Sequence, residues 1–173
     1  MVTSVNRPKK HEAHAQNGIV VKGIDDVLVR LSHCCNPVPG DAIIGFVTRG
    51  RGVSVHRKDC PNVADLMNSP ERIIPVEWEK NKTDAVYKVE VAIEAMDRLN
   101  LLFDVTKVFG EMNINVSSCT TSTKSGNIYL MKLGFEVTEL KMIDYVIENL
   151  RKIDGVFEVT RALPSTQKKK KRK

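Results

Sequence analysis

Apolar and polar residues follow two distinct rhythms along the second half of the chain. From Tyr87 to Ala95 the apolar residues occupy every second position, which predicts a strand with one buried face. From about Asn100 to Glu111 they recur at helical spacing and predict an amphipathic helix, which we expect Asp97 to cap. The β-branched and hydroxyl-rich run from Ile114 to Thr123 and the run from Ile128 to Val137 predict two strands of a hairpin.

The C-terminal part of the chain completes this pattern. Residues 142–150 have one apolar face at helical spacing, Asp154-Gly155 predicts the end of that helix, and residues 156–161 predict a final strand. The order strand, helix, strand, strand, helix, strand is that of the ferredoxin-like split βαβ arrangement. We therefore expect a domain of residues 85–163 with both helices on one face of an antiparallel sheet.

The first half of the chain is also rich in predicted strands. Residues 42–48 and 52–56 are β-rich runs on either side of a glycine-containing turn, so they predict a hairpin. Residues 61–67 begin with proline and suit a short helix, whereas the proline inside residues 73–78 predicts an edge strand. Residues 24–31 are compatible with a strand or with one or two helical turns. The predicted fold class is α+β, with a small module of residues 18–80 before the ferredoxin-like domain.

Charge and composition change the interpretation of the chain ends. Residues 1–17 and 164–173 contain almost no large apolar side chains, which predicts a flexible arm and a disordered tail. The formal net charge of the chain is +6, and the tail alone contributes six positive charges between Lys168 and Lys173. Subtracting these six from +6 leaves zero for the rest of the chain. A nucleic-acid-binding field over the whole surface is therefore not predicted, and the tail is either a solvated charge run or a non-specific contact to phosphates.

The distribution of apolar residues also bears on location. No stretch approaches the roughly 18 consecutive apolar residues of a membrane span, and the N-terminus lacks the apolar core of a secretory signal. We therefore predict a cytoplasmic protein that does not contact a membrane. In a reducing compartment the four cysteines are expected as thiols or metal ligands, not disulfides.

Three of these cysteines and one histidine form a candidate metal site: Cys34, Cys35, His56 and Cys60. Tetrahedral zinc suits these ligand types, and a module of roughly 60 residues commonly needs a metal for stability. Adjacent side chains diverge in extended backbone, so Cys34 and Cys35 reach one ion only if the chain bends sharply there. His33 competes with His56 as the nitrogen ligand. The alternatives are small buried hydrophobic side chains and, with no acidic partner evident, a Cys/His nucleophilic pair.

Two further groups of residues are candidate binding sites. Arg49, Arg51, Arg57 and Lys58 lie on the hairpin tip and its return strand, where they are either phosphate contacts to RNA or a solvated hairpin end. The second group follows the first strand of the ferredoxin-like domain and consists of Asp97, Arg98, Leu99, Asn100 and Leu101. Backbone N–H groups converge at such a strand-to-helix junction, so this segment is either a carboxylate-binding site or an ordinary helix N-terminus.

The first module resembles a known family. His33-Cys-Cys-Asn-Pro-Val-Pro-Gly-Asp41, the run from Gly45 to Arg57 and Asp59-Cys-Pro-Asn62 are similar to the conserved-cysteine (zinc-finger) module of long Rel/SpoT proteins. Residues 86–163, with Asp97-Arg98 at the characteristic place, resemble the ACT domain that ends those proteins. This family makes and hydrolyses guanosine tetra- and pentaphosphate with catalytic domains that precede this region. The resemblance therefore implies a non-enzymatic regulatory fragment of the stringent response.

The same resemblance implies partners and residue roles. The family's region docks on the bacterial ribosome near deacylated tRNA and relays inhibition to the catalytic domains. Cys34, Cys35, His56 and Cys60 would be the metal set, and Arg49, Arg51 and Arg57 candidates for contact with ribosomal RNA. Many ACT domains have glycine where this chain has Asn100, which lets the backbone approach a bound amino acid. Asparagine adds bulk at this position and so does not favour amino-acid sensing. The alternative is a stand-alone ACT homodimer that senses a branched-chain amino acid.

Overall fold

The computed structural model describes residues 16–24, 27–80 and 84–162. The predicted basic tail and nearly all of the predicted N-terminal arm lie outside the described residues. The strands of the first module are β1 (Ile19–Val21), β2 (Val29–Leu31), β3 (Ile43–Thr48), β4 (Gly52–Arg57), β5 (Ile73–Ile74) and β6 (Val76–Trp78), with helix α1 (Pro61–Leu66) between β4 and β5. The second module comprises β7 (Tyr87–Met96), α2 (Leu101–Glu111), β8 (Val116–Lys124), β9 (Ile128–Val137), α3 (Leu140–Arg151) and β10 (Val156–Arg161).

The second module has the predicted ferredoxin-like topology. Its four antiparallel strands lie in the order β10-β7-β9-β8. The apolar side chains of α2 and α3 share one core cluster with the alternate apolar positions of β7 and β9. Phe109 of α2 and Phe135 of β9 meet edge to face there, with ring centroids 5.1 Å apart. Both helices therefore cover one face of the sheet, as the two hydrophobic periods indicated.

The start of α2 differs from the prediction. We expected Asp97 to cap this helix, and that expectation was wrong, because the chain first passes through a left-handed turn at Asn100 (φ 64°). Asp97 lies too early to cap the first turn, and its backbone N–H donates to the carbonyl oxygen of Asn127. Arg98 instead reaches the first turn and pairs with Asp104 at 2.7 Å.

The first module is a mixed sheet with the strand order β2-β4-β3-β5. Residues 24–31, which the pattern left undecided, supply the short strand β2, which runs parallel to β4. The predicted hairpin of β3 and β4 is present, with positive φ at Gly50 (72°) and Gly52 (80°). The predicted edge strand of residues 73–78 is divided at Pro75: β5 pairs with β3, whereas β6 pairs with β1 in a separate two-stranded sheet.

A loop of residues 36–41, here called the connecting loop, packs the first module against the second. Val38 is fully buried and belongs to the core of the second module's sheet. The carbonyl oxygen of Pro39 accepts a 2.8 Å hydrogen bond from the backbone N–H of Leu140 at the start of α3. The ring of Trp78 also meets that of Tyr87 edge to face, with centroids 5.8 Å apart. The two modules therefore share packed core residues as well as a peptide link.

An ion pair within this interface joins the connecting loop to the last strand. The guanidinium Nη1 of Arg161 lies 2.8 Å and 2.9 Å from the two carboxylate oxygens of Asp41, and its Nη2 donates to the carbonyl oxygen of Asn36 at 2.5 Å. The side chains of Arg161 and Asp41 are only 9% and 7% exposed. Asp41 also accepts a hydrogen bond from the backbone N–H of Val38, so the carboxylate holds the loop's own turn as well.

Among the residues described, none of the helices combines the length and the apolar composition that crossing a membrane requires.

Candidate metal centre

Four side chains of the first module converge on one point. The ligand atoms of Cys34, Cys35, His56 and Cys60 all lie within 4.8 Å of one another. The Sγ of Cys34 is 3.3 Å from Nδ1 of His56, 3.5 Å from Sγ of Cys60 and 3.9 Å from Sγ of Cys35. Zinc bonds of about 2.3 Å to sulfur and 2.0 Å to nitrogen give a tetrahedron with edges of roughly 3.7 Å. The four residues could therefore bind a tetrahedral metal ion with little movement.

Local backbone structure explains how residues distant in sequence meet. The sharp bend needed to bring the adjacent cysteines together is a turn closed by a 3.0 Å hydrogen bond from the N–H of Asn36 to the carbonyl oxygen of Ser32. Asn36 then takes a left-handed conformation (φ 43°), which asparagine tolerates. His56 comes from β4, and Cys60 directly precedes α1. His33, the alternative nitrogen ligand, is exposed and lies outside the cluster.

Groups around the cluster orient its ligands. Nε2 of His56 lies 3.1 Å from the hydroxyl of Ser32 and 3.3 Å from that of Ser54, and Nδ1 lies 3.3 Å from Sγ of Cys34. Either hydroxyl can accept from an N–H at Nε2, and that tautomer leaves Nδ1 free to bind a metal ion. The backbone N–H of Arg57 donates to Sγ of Cys35 at 3.3 Å, which stabilises negative charge on that sulfur. Second partners of this kind are typical of metal-binding histidines and thiolates. The Nε2 partners of His56 are the hydroxyls of Ser32 and Ser54. A catalytic Cys/His pair usually has an acidic group that orients the histidine, so this arrangement does not favour the nucleophilic pair.

Burial sets the protonation of the cluster in the absence of an ion. Burial raises the pKa of the Cys35 thiol to about 12 and also raises the pKa of Cys60. Burial alone would raise the pKa of Cys34 too, but hydrogen bonds from Ser32 and other neighbours outweigh it and lower that pKa. Burial lowers the pKa of His56, which keeps its imidazole neutral. A metal ion would thus meet a neutral imidazole and one thiol that ionises readily, and would displace the protons of the others.

The four basic residues predicted to contact RNA do not form one cluster. Arg49 and Arg51 are exposed at the hairpin tip, whereas Lys58 is exposed beyond the far end of β4. The length of β4 separates these two positions by roughly 20 Å. Arg57 points inward: its side chain is 13% exposed and lies between Asp59, with which it forms an ion pair, and Asp41 at 4.0 Å. This placement does not favour contact between Arg57 and RNA.

The predicted carboxylate-binding segment forms the turn before α2. Leu99 is 86% exposed, and Asn100 has a left-handed backbone conformation (φ 64°). The guanidinium of Arg98 donates to the carbonyl oxygens of Leu99 and Asp154, each at 3.0 Å, in addition to its ion pair with Asp104. Arg98 is thus the residue that organises this turn.

Sequence reasoning missed one basic side chain near the cluster. Arg30 lies on β2, beside Ser54 of β4 in the parallel register. No short-range pattern identifies this position, because β2 and β4 are separated by 20 residues and their pairing is parallel.

Two family models match the chain. The RelA/SpoT RIS domain matches residues 19–79 and includes the Cys/His cluster and the hairpin. The ACT domain matches residues 83–161 and includes the turn before α2.

Known proteins match the same region. The GTP pyrophosphokinase of Streptomyces antibioticus is 43% identical over 166 residues, which are 96% of this chain and 20% of that protein. The bifunctional (p)ppGpp synthase/hydrolase RelA of Mycobacterium tuberculosis is 38% identical over 159 residues, 92% of this chain and 21% of that protein. The crystal structure of the ACT domain from the GTP pyrophosphokinase of Chlorobium tepidum covers 45% of this chain and 100% of that domain, with 20% identity and a TM-score of 0.41. The chain spans about one fifth of the length of the curated relatives it matches.

Proposed function

The chain belongs to the RelA/SpoT family, and we propose that it is a regulatory region that binds the ribosome and deacylated tRNA. The matched region is the C-terminal regulatory part of the longer relatives, and their catalytic domains lie outside it. In this proposal the region relays its binding state to catalytic domains that make or hydrolyse guanosine tetra- and pentaphosphate. The proposed compartment is the cytoplasm, where ribosomes and reduced thiols are both found.

The proposed cofactor is a structural zinc ion. Cys34, Cys35, His56 and Cys60 would hold it, and their separations match the edges of a zinc tetrahedron. Four protein ligands complete the coordination and leave no open position for substrate, so the ion would stabilise the fold of the module. It would fix the turn at the two cysteines, the end of β4 and the start of α1 relative to one another.

The observation that carries the ribosome proposal is the position of the hairpin relative to this centre. The cluster holds the base of β4, and the tip at the other end of the strand presents Arg49 and Arg51 to solvent. Neither arginine forms an ion pair within the part of the chain that the structure describes. Unpaired arginines on a rigid hairpin suit contact with the phosphates of ribosomal RNA. Lys58 would add a separate contact near the centre.

Co-sedimentation with ribosomes in the presence of deacylated tRNA tests this proposal. We expect the double variant Arg49→Glu with Arg51→Glu to lower the bound fraction at least tenfold, because two attractive phosphate contacts become repulsive. The matched control is Lys107→Glu with Lys141→Glu, which reverses two exposed charges on α2 and α3 and should leave binding within twofold. Equal binding by the wild type and the hairpin variant would rule out the hairpin as the ribosome contact.

A second candidate function is a homodimeric ACT sensor of branched-chain amino acids. The observation that favours it is β8, an edge strand whose residues 117–124 are all exposed and whose outer backbone groups have no partner strand in the described sheet. A second copy pairing there would extend the sheet. The turn from Asp97 to Leu101 would offer a carboxylate the backbone N–H groups of its middle residues 98–100, since those of Asp97 and Leu101 already donate to backbone carbonyl oxygens. Isothermal calorimetry with leucine, isoleucine and valine tests this function. No heat at millimolar ligand would remove it.

A further inference from the structure

The buried carboxylate of Asp41 lies between the candidate metal centre and the second module. Arg161 reaches it from β10 of the second module, with Nη1 2.8 Å and 2.9 Å from its two oxygens. Arg57 reaches it from β4 of the first module, with Nε 4.0 Å from Oδ1. One carboxylate therefore faces two guanidinium groups from different modules, and the group from the second module is the one within hydrogen-bond distance.

Arg161 also holds the turn that carries two of the candidate metal ligands. Its Nη2 donates a 2.5 Å hydrogen bond to the carbonyl oxygen of Asn36, the residue that directly follows Cys35. The backbone N–H of Asn36 closes the same turn by donating to the carbonyl oxygen of Ser32. Asn36 is left-handed (φ 43°), a conformation that persists in residues other than glycine only where the surroundings fix it. A side chain of the second module thus helps to fix the residue next to a candidate ligand.

Arg57 connects the same carboxylate to the candidate metal centre. It follows the candidate ligand His56 on β4, and its backbone N–H donates to Sγ of Cys35 at 3.3 Å. Its guanidinium Nη1 is buried and has no hydrogen-bond partner within the part of the chain that the structure describes. A buried donor without an acceptor costs free energy. Arg57 would therefore gain from moving closer to Asp41 whenever Arg161 is withdrawn.

From this arrangement we propose that the metal centre and the contact between the two modules are thermodynamically coupled through Asp41. With the second module docked, Arg161 holds both the carboxylate and the ligand turn. With the second module released, Arg57 takes the carboxylate and the turn loses its contact at Asn36. A zinc ion that fixes the turn favours the docked arrangement, and docking raises the affinity for zinc by the same factor, because linkage is reciprocal. The inference rests on the proposed zinc ion and does not depend on ribosome binding.

The remaining contacts of the interface keep the docked arrangement dominant. Val38 fills part of the second module's core, and the backbone N–H of Leu140 donates to the carbonyl oxygen of Pro39 across the interface. Removal of the Arg161 guanidinium leaves both of these contacts in place. It therefore shifts the equilibrium between the docked and released arrangements without detaching the modules.

Zinc affinity, measured on the full chain by competition with a chelator, tests one direction of the coupling. We expect Arg161→Leu to weaken zinc binding about tenfold, as the loss of a group that orients metal ligands commonly does. The matched control is Arg151→Leu, which removes a guanidinium that donates to the carbonyl oxygen of Val159 within the second module. Its zinc affinity should stay within twofold of the wild type. Combining Arg161→Leu with Asp41→Asn should cost less than the product of the two single losses, because both remove one contact.

Amide hydrogen exchange tests the reciprocal direction. Exchange at the N–H of Leu140 reports release of the interface, because this group donates to Pro39 of the other module. The N–H of Met96, which donates to Gly155 within the second module, is the control amide. Chelation of zinc should speed exchange at Leu140 about tenfold and leave Met96 within twofold. In Arg161→Leu, chelation should change the Leu140 rate by less than twofold, because the coupling contact is already lost.

The outcomes separate this coupling from the zinc proposal on which it rests. Equal acceleration at Leu140 in the wild type and Arg161→Leu would show that zinc loss acts without the Asp41 contact, and would overturn the coupling. Zinc affinity of Arg161→Leu within twofold of the wild type would overturn it as well, while leaving the zinc site intact. No zinc binding by the wild type would overturn both proposals. Arg161→Lys keeps a charge beside Asp41 but not the guanidinium fork, and this milder variant should lose at least threefold in zinc affinity.

Discussion

Removal of the Arg161 guanidinium is the sharpest perturbation of the contact between the modules. Arg161→Leu keeps much of the aliphatic side chain but leaves the carboxylate of Asp41 buried, with the N–H of Val38 and the more distant Arg57 as its remaining partners. Breaking a buried pair by removing one partner costs about 3–5 kcal/mol. Because Arg57 lies 4.0 Å from Asp41 and partly compensates, we expect the lower end, about 3 kcal/mol.

Urea unfolding followed by circular dichroism measures this loss. A destabilisation of about 3 kcal/mol corresponds to a fall in Tm of roughly 6–12 °C for a chain of this size. The control Lys22→Ala breaks the pair of Lys22 with Glu77, whose side chains are 55% and 59% exposed, and should cost less than about 1 kcal/mol. Adding Asp41→Asn to Arg161→Leu should recover part of the loss, because the buried charge is then removed. A cost for Arg161→Leu no larger than that of Lys22→Ala would refute the reasoning.

Three further predictions concern the metal centre and the backbone. Cys35→Ser should lower zinc content, measured by chelator displacement, from one equivalent to less than about 0.2, whereas Cys119→Ser should retain it, since Cys119 is exposed on β8. Gly40→Ala should destabilise the chain by about 2 kcal/mol or more in urea unfolding, because φ is +107° and a Cβ would lie 2.9 Å from a side chain at the start of α3. Gly23→Ala, with φ of +87° but open space, should cost less. Gly110→Ala should instead raise stability by about 0.5–1 kcal/mol, because this exposed position inside α2 has room for a methyl group; an unchanged or lower unfolding midpoint would contradict this.

Local periodicity made the second module predictable. The strands from Ile128 to Val137 and from Val156 to Arg161 have the predicted bounds, because their residues combine β-forming composition with clear turn signals at each end. The cap expected at Asp97 was wrong, because periodicity shows only that a helix follows the strand and not where it begins. After the strand the chain continues through a left-handed turn at Asn100. Such a turn depends on a single residue and leaves no periodic signal.

Long-range contacts explain what the sequence did not reveal in the first module. Ligand types identified the three cysteines but left His33 and His56 as competing nitrogen ligands, and the family resemblance implied His56. The fold agrees with that choice, because it places His56 in the cluster and leaves His33 exposed outside it. The inward position of Arg57 depends on Asp41, which is 16 residues away, and no local pattern indicates that contact. The same holds for the parallel pairing of β2 with β4, which places Arg30 beside Ser54.

The burial of Val38 beneath the second module's sheet has a consequence for dissecting the protein. A fragment that starts after residue 84 would keep every strand and helix of the ACT fold but would lose the side chain that fills part of its core. The hollow left behind would expose apolar side chains that the intact chain covers, and such a surface favours self-association. Fragments of this kind would therefore report oligomeric states and ligand affinities that belong to the cut surface and not to the protein.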